Sequence, residues 1–300
     1  MTLYSQISSN RRKTYLIFVL FIFIISGFFY IVGIANQSSS QFLVYGLIFS
    51  IFSTVGSYFF SDKIVLLSVK AIPADRKTYF DFYTVTENLC IASGLPMPKL
   101  YVIQDSALNA FATGRDPKHA VVCATTGLLT TLERSEVEGV IDHELSHVKN
   151  YDILLASIVA VLVGTIALAS DMIMRNFWWG GRGNNNEDRK GNNPIIFIIL
   201  IASLIITPIV ATLIQLAISR KREFLSDADG ALISRNPSGL ANALEKISLY
   251  SKPLSTATTS TAHLFISNPF KSNKGKISWL QNLFSTHPPI EERMRILRSM

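Results

Sequence analysis

The chain of 300 residues carries a formal net charge of +7, with 49% hydrophobic but only 16% charged residues. At ~150 residues per domain it has room for about two, and its composition excludes a disordered chain, which needs few apolar residues and much charge. Its two cysteines, Cys90 and Cys123, exclude a disulfide scaffold, which leaves a membrane protein or an unusually apolar globular one.

Arg11, Arg12 and Lys13 precede an uncharged run at 15–35, about the ~20 residues that a bilayer demands of a helix. That run is longer than the ~7–15 residues of a cleaved signal sequence, so it reads as an anchor that stays. A second uncharged run, 42–60, contains Ser50, Ser53, Thr54 and Ser57. Residues 74–94 read as an amphipathic helix, with Phe80, Tyr83, Glu87 and Ile91 at helical spacings and Gly94 before Pro96 as a stop. Short strands are expected at 101–104, 109–113 and 120–125, with Gly114-Arg115-Asp116-Pro117 as a turn. Ser135-Glu136-Val137-Glu138 has the pattern of a capping box, which starts a helix at about Glu136. No breaker interrupts it before the third uncharged run, 153–170, so the two read as one helix. A Gly/Asn-rich stretch within 175–194 leads to the fourth run, 195–218, where Pro208 predicts a kink. Helices are then expected at 220–233 and 239–249, a Ser/Thr-rich connection at 251–261, and a last helix from about Pro288.

The four runs predict four transmembrane helices, with a buried core helix as the alternative for the second and third. Positive residues stay on the cytoplasmic side. Placing 24 of the 28 Lys and Arg there leaves only the 4 of the 175–194 loop outside. The expected organisation is an N-terminal tail with two spans (1–60), a first cytoplasmic segment (61–152), two spans with an external loop (153–218), and a second cytoplasmic segment (219–300). The lipid bilayer is therefore a partner, and no segment is basic enough for nucleic acid to be one. The sequence assigns no oligomeric state.

His143-Glu144-Leu145-Ser146-His147 lies inside the capped helix. Residues i and i+4 share one helical face, so both imidazoles can reach one Zn²⁺. Glu144, beside the first histidine, is placed to take a proton from water at that metal. With 5 His and 10 Glu in the chain, accident produces this pattern about 0.003 times. A catalytic zinc needs a third protein ligand and an open position, and the lone cysteines lack metal-binding spacing. Glu223 follows the fourth run as closely as His147 precedes the third, so the two would stand at matched height above the bilayer. Asp227, four residues on, would orient a ligand histidine. The competing reading is that Glu223 and Asp227 merely balance Arg220, Lys221 and Arg222 on a solvated face.

Four stretches carry a resemblance over nearly the whole chain, in order. They are Gly139–Asn150, Asn109-Ala110-Phe111-Ala112-Thr113-Gly114, Arg222-Glu223-Phe224 with Asp227, and His287-Pro288-Pro289-Ile290-Glu291-Glu292-Arg293. They resemble the HtpX family of membrane zinc endopeptidases, multi-pass proteins of the bacterial plasma membrane whose active site faces the cytoplasm. The resemblance implies a mostly α integral membrane protein with a zincin-like α+β catalytic domain, holding one Zn²⁺ per chain. By the same resemblance His143, His147 and Glu223 are ligands, Glu144 is the base and Asp227 supports a ligand. His287 would stabilise the oxyanion with Arg293 bracing it, and Asn109, Ala110, Phe111 and Ala112 would line the substrate as a strand edge. The implied substrates are misfolded or damaged membrane proteins. Asp142 stands where that family usually carries a small residue, and points about 100° from the first ligand, toward solvent or a neighbouring helix. His119 and His263 read as structural. Two rival readings are a prenyl-protein protease of the same superfamily and a non-catalytic scaffold with a structural metal. The second is disfavoured because a structural site is normally closed by four protein ligands.

Overall fold

The computed structural model describes residues 3–35, 37–180, 220–250, 252–270 and 288–300. It opens on a helical hairpin, α1 (Leu3–Ala35) and α2 (Ser39–Ser68). The pattern of α2 is inside out. Gly46, Ser50, Thr54, Ser57 and Ser61 are buried, at helical spacings, while Phe52 is 75% exposed and Ile51, Val55, Phe59 and Phe60 are also exposed. Small and hydroxyl-bearing residues let membrane helices approach closely while bulky apolar ones face lipid. The serines that made a buried core helix conceivable thus mark the face turned to neighbouring helices. By length and composition both helices are able to cross a membrane.

The chain then builds a four-stranded sheet from β1 (Ile72–Pro73), β2 (Lys99–Ile103), β3 (Ala110–Thr113) and β4 (Val121–Thr125). The order is β1-β2-β4-β3, with β2 and β4 parallel and the outer strands antiparallel. The helix expected over 74–94 begins only at Phe80 (α3, Phe80–Ser93), because the Asp75 carboxylate accepts the Thr78 amide at 2.8 Å and holds a turn. Gly94 ends it in the left-handed region, φ 69°, as its stop signal predicts. A short helix not expected from the sequence, α4 (Thr126–Thr131), follows β4.

Helix α5 (Arg134–Lys149) starts two residues earlier than expected: Glu133 is the N-cap and Glu136 returns the bond, accepting the Glu133 amide at 2.8 Å. It also does not run on into the third apolar run. Tyr151 adopts φ 59°, and α6 (Asp152–Gly180) leaves at 86° to α5. Neither Gly nor Pro makes this corner; Asn10 of α1 does, donating to the Asn150 carbonyl at 3.1 Å and to Asp152 at 2.8 Å. The first half of α6 is enclosed by protein. Leu155, Ile158 and Leu162 pack on Ile17, Phe21 and Ile25 of α1, while Ala160 and Val161 join Phe111, Cys123 and Phe265 on the other side. The fourth expected span, 195–218, lies outside the described residues.

Helices α7 (Arg220–Ser234), α8 (Pro237–Leu249) and α9 (Ile290–Leu297) close the main core against α3, α5 and the sheet. Backbones touch where α5 meets α8: a Cβ on Gly139 would lie 2.3 Å from the Leu240 amide nitrogen. Helix α7 crosses α5 almost as closely, with Gly230 against His143 (3.3 Å from a would-be Cβ to the backbone nitrogen).

Candidate metal centre

That crossing delivers α7 side chains onto the face of α5 that carries both histidines. His143 and His147 approach at 3.2 Å through their Nε2 atoms. Glu223 reaches both: Oε2 is 3.8 Å from His143 Nε2, and Oε1 is 3.5 Å from His147 Nε2. Bonds of ~2.0–2.1 Å to a tetrahedral Zn²⁺ would place ligand atoms roughly 3.3–3.4 Å apart, so the three groups fit one ion. His143, Glu144 and Glu223 are all buried.

The outer nitrogens make the fit specific. His143 Nδ1 lies 2.9 Å from Asp227 Oδ1, and His147 Nδ1 lies 3.1 Å from Asp152 Oδ2. When each Nδ1–H donates to its carboxylate, both Nε2 atoms turn lone pairs toward the same point, an arrangement that a cation between them relieves. Asp227 is in turn gripped by Arg293, whose Nε and Nη2 donate at 2.8 and 2.6 Å. Burial opposes ionisation of Asp227, but the Arg293 charge and bonds outweigh it and hold the carboxyl at about 2. The two imidazoles diverge. Burial and then the Arg293 charge drive His143 down to about 4. At His147 burial is overcome by the Asp152 bond and by the charges of Glu223, Asp152 and Glu144, which raise it to about 9.

The structure thus brings His143, Glu144, His147, Glu223 and Asp227 together. Arg293, fully buried, braces Asp227, and its Nη2 also lies 3.4 Å from His143 Nδ1. His287 itself falls outside the described residues. Asp142 is completely buried and accepts the Ser234 amide at 3.1 Å at the end of α7, so it faces a neighbouring helix and not solvent. Burial raises its carboxyl to about 7. Asn109 is buried, and its side chain is used within the fold, donating to the Ser267 carbonyl at 3.1 Å and accepting the Ser267 amide at 3.3 Å. The next residue, Ala110, accepts the Ile266 amide at 3.0 Å, so residues 266–267 lie along the outer edge of β3. Ala110, Phe111 and Ala112 are all buried there. His263 bonds the Ala156 carbonyl at 3.0 Å, and exposed His119 pairs with Asp116, both away from the centre. Sequence reasoning missed Asp152, Arg222 and Asn10 as parts of this site. Asn10 and Asp152 were signalled only as polar side chains standing at the ends of apolar runs, and Arg222 only as part of the stretch around Glu223.

The description "Peptidase family M48" matches residues 81–300 of the chain. A protein named Protease HtpX homolog from Caldanaerobacter subterraneus subsp. tengcongensis is 46% identical over 302 aligned residues, covering 100% of this chain and 98% of that protein. A homolog of the same name from Tropheryma whipplei is 43% identical over 99% of this chain and 98% of its own length. Among solved structures, that of Ste24p from S. mikatae is similar at a TM-score of 0.49 and 19% identity, covering 91% of this chain and 62% of that one.

Proposed function

This chain belongs to peptidase family M48 and, within it, to the HtpX proteases, and from that premise we propose how a membrane-bound metalloprotease works through the residues just described. The metal is Zn²⁺, one per chain, and His143, His147 and Glu223 hold it. Bound there, it would polarise the scissile carbonyl and acidify the attacking water. Glu144 takes the proton from that water and returns it to the leaving amine. His287, through the family resemblance, donates to the developing oxyanion. Asp227 and Arg293 keep His143 in the tautomer that leaves Nε2 free.

Substrate is proposed to bind as an extended strand along β3, where main-chain bonds carry no side-chain code. Residues 266–267 already cover the edge at Ala110, so a substrate strand extends past them toward Ala112 or displaces them. The substrates are proposed to be misfolded or damaged membrane proteins, approached from the cytoplasmic face of a bacterial plasma membrane crossed by four helices. The bond from Asn10, just before the basic cluster of α1, to Asn150 and Asp152 supports that arrangement, because it keeps the N-terminal end of α1 beside the metal centre. Residues 61–152 and 219–300 would together make the catalytic domain.

The observation that carries this reading is the convergence of three ligand atoms, with each histidine backed by its own carboxylate. Zinc analysis beside turnover of a membrane-protein substrate tests it. Wild type should hold one ion, and His143→Ala or His147→Ala should lose most of it. Glu144→Gln should keep zinc while turnover falls ~10²–10⁴-fold. Wild-type turnover in Glu144→Gln would overturn the mechanism. Reporter fusions after Ile72 and Tyr250 should read cytoplasmic, and one within 180–193 external.

A further inference from the structure

The two ligand histidines are supported by two different parts of the molecule. The carboxylate behind His143 is Asp227 of α7, gripped by Arg293 of α9, so that support lies wholly within the globular core. The carboxylate behind His147 is Asp152, at the start of α6, and what grips it comes from the membrane hairpin as well. Arg222 Nη1 donates to Asp152 Oδ1 at 2.7 Å, and Asn10 Nδ2 of α1 donates to the same oxygen at 2.8 Å. The second Asn10 donor goes to the Asn150 carbonyl at 3.1 Å, and its oxygen accepts from Arg222 at 3.2 Å. Asn10 is 3% exposed and commits both amide hydrogens and its oxygen to this junction. Ser226 Oγ also lies 3.1 Å from His147 Nδ1, where it can share the same N–H.

We propose that Asp152 is a positioning residue for His147, and that Asn10 holds it there, so that metal affinity depends on α1 being docked against the α5–α6 corner. The inference rests on the reading of His147 as a ligand. An imidazole whose Nδ1–H is bonded to a fixed carboxylate has its ring plane and tautomer set for the metal. Losing such a partner costs ~10–100-fold in metal affinity. Tyr151, in the left-handed region, puts Asp152 back within reach of a histidine five residues earlier, which a continuous helix would not do. A membrane helix thereby contributes to a metal site without supplying a ligand.

The test uses the full-length protein in detergent, with zinc affinity from chelator competition and the visible spectrum of the Co²⁺-loaded form. Asp152→Ala is expected to weaken zinc ~10–100-fold and to alter the Co²⁺ bands. Asn10→Ala should weaken it by a smaller factor in the same direction. The double variant should be no weaker than Asp152→Ala alone, because Asn10 acts through Asp152. Should Asp152→Ala fail to fold, Asp152→Asn preserves shape and an acceptor, and is expected to weaken zinc severalfold. Wild-type affinity and spectrum in the Asp152 and Asn10 variants, or fully multiplicative losses in the double variant, would overturn the proposal. Stoichiometric zinc in His147→Ala would instead defeat the ligand assignment beneath it.

Discussion

His143 and His147 stand one helical turn apart, offer the same ring nitrogen to the same point, and are each backed by an aspartate and an arginine. Their surroundings nevertheless differ. The His143 side chain is 1% exposed and its Arg293 0%, whereas His147 is 15% and its Arg222 11% exposed. One support is sealed in the core and the other sits at the seam with the membrane hairpin. The same chemical device therefore has two energetic characters: breaking the sealed one strands a charge in low dielectric, and loosening the other mainly frees a geometry.

The sharpest way to break the comparison is to remove each arginine in turn. Arg293→Met leaves Asp227 buried without its counter-charge and with only the His143 bond, and truncating one partner of a buried pair costs about 3–5 kcal/mol. Thermal unfolding in detergent should show that loss, together with weakened zinc. Arg222→Met leaves Asp152 its bond from Asn10 and access to water, so the expected loss is about 1–3 kcal/mol, that of an unsatisfied hydrogen-bonding group. Equal losses in the two variants would mean that the seam is as dry as the core.

A pH series sharpens the same point in the metal-free protein. With Arg293 present, Asp227 is held at about 2, below the ~3.9 of an unfolded aspartate. Its contribution to stability is therefore complete above about pH 4 and is lost as pH falls from there toward 2. In Arg293→Met the burial that opposes ionisation is no longer outweighed, and the sign reverses. A carboxyl raised in the folded state loses stability as pH rises above the unfolded value. The melting-temperature gap between wild type and Arg293→Met should accordingly narrow as pH is lowered from 7.5 to 5, and a gap that widens would contradict the assignment.

The pairing of His143 with His147 was legible because it is local, i and i+4 on one helix, whereas Glu223, on another helix, stood out only by its place beside an apolar run and by resemblance. The supports were not, because Asn10 and Asp152 are 142 residues apart and no periodicity links them. The salt bridge from Arg293 to Asp227 joins residues on separate helices, and no spacing in the sequence links them. The spans of the hairpin were legible from composition, since lipid demands long uncharged runs. Their serines pointed to a core only under the soluble-protein rule, which membrane packing inverts. The corner between α5 and α6 left no trace, because Lys149-Asn150-Tyr151 contains no Gly or Pro and the bend is imposed by tertiary bonds. Strand β1 and helix α4, of 2 and 6 residues, are too short for a pattern to register.

The smallest expected effect lies at that corner, on the backbone that makes the His147 support possible. Tyr151 holds φ 59°, which costs an ordinary residue roughly 1–2 kcal/mol and suits asparagine better than most. Tyr151→Asn and Tyr151→Val both lose the aromatic ring, so the difference between them includes the left-handed backbone preference without the loss of that ring. The β-branched valine should be less stable than asparagine by about 1 kcal/mol, read as a lower melting temperature. Because Asp152 follows directly, valine should also bind zinc more weakly than asparagine, while Asp227 and its grip on His143 stay as they are. Equal zinc affinity in the two variants would mean that the corner tolerates a different geometry without moving Asp152, and the seam would then be stiffer than its exposure implies.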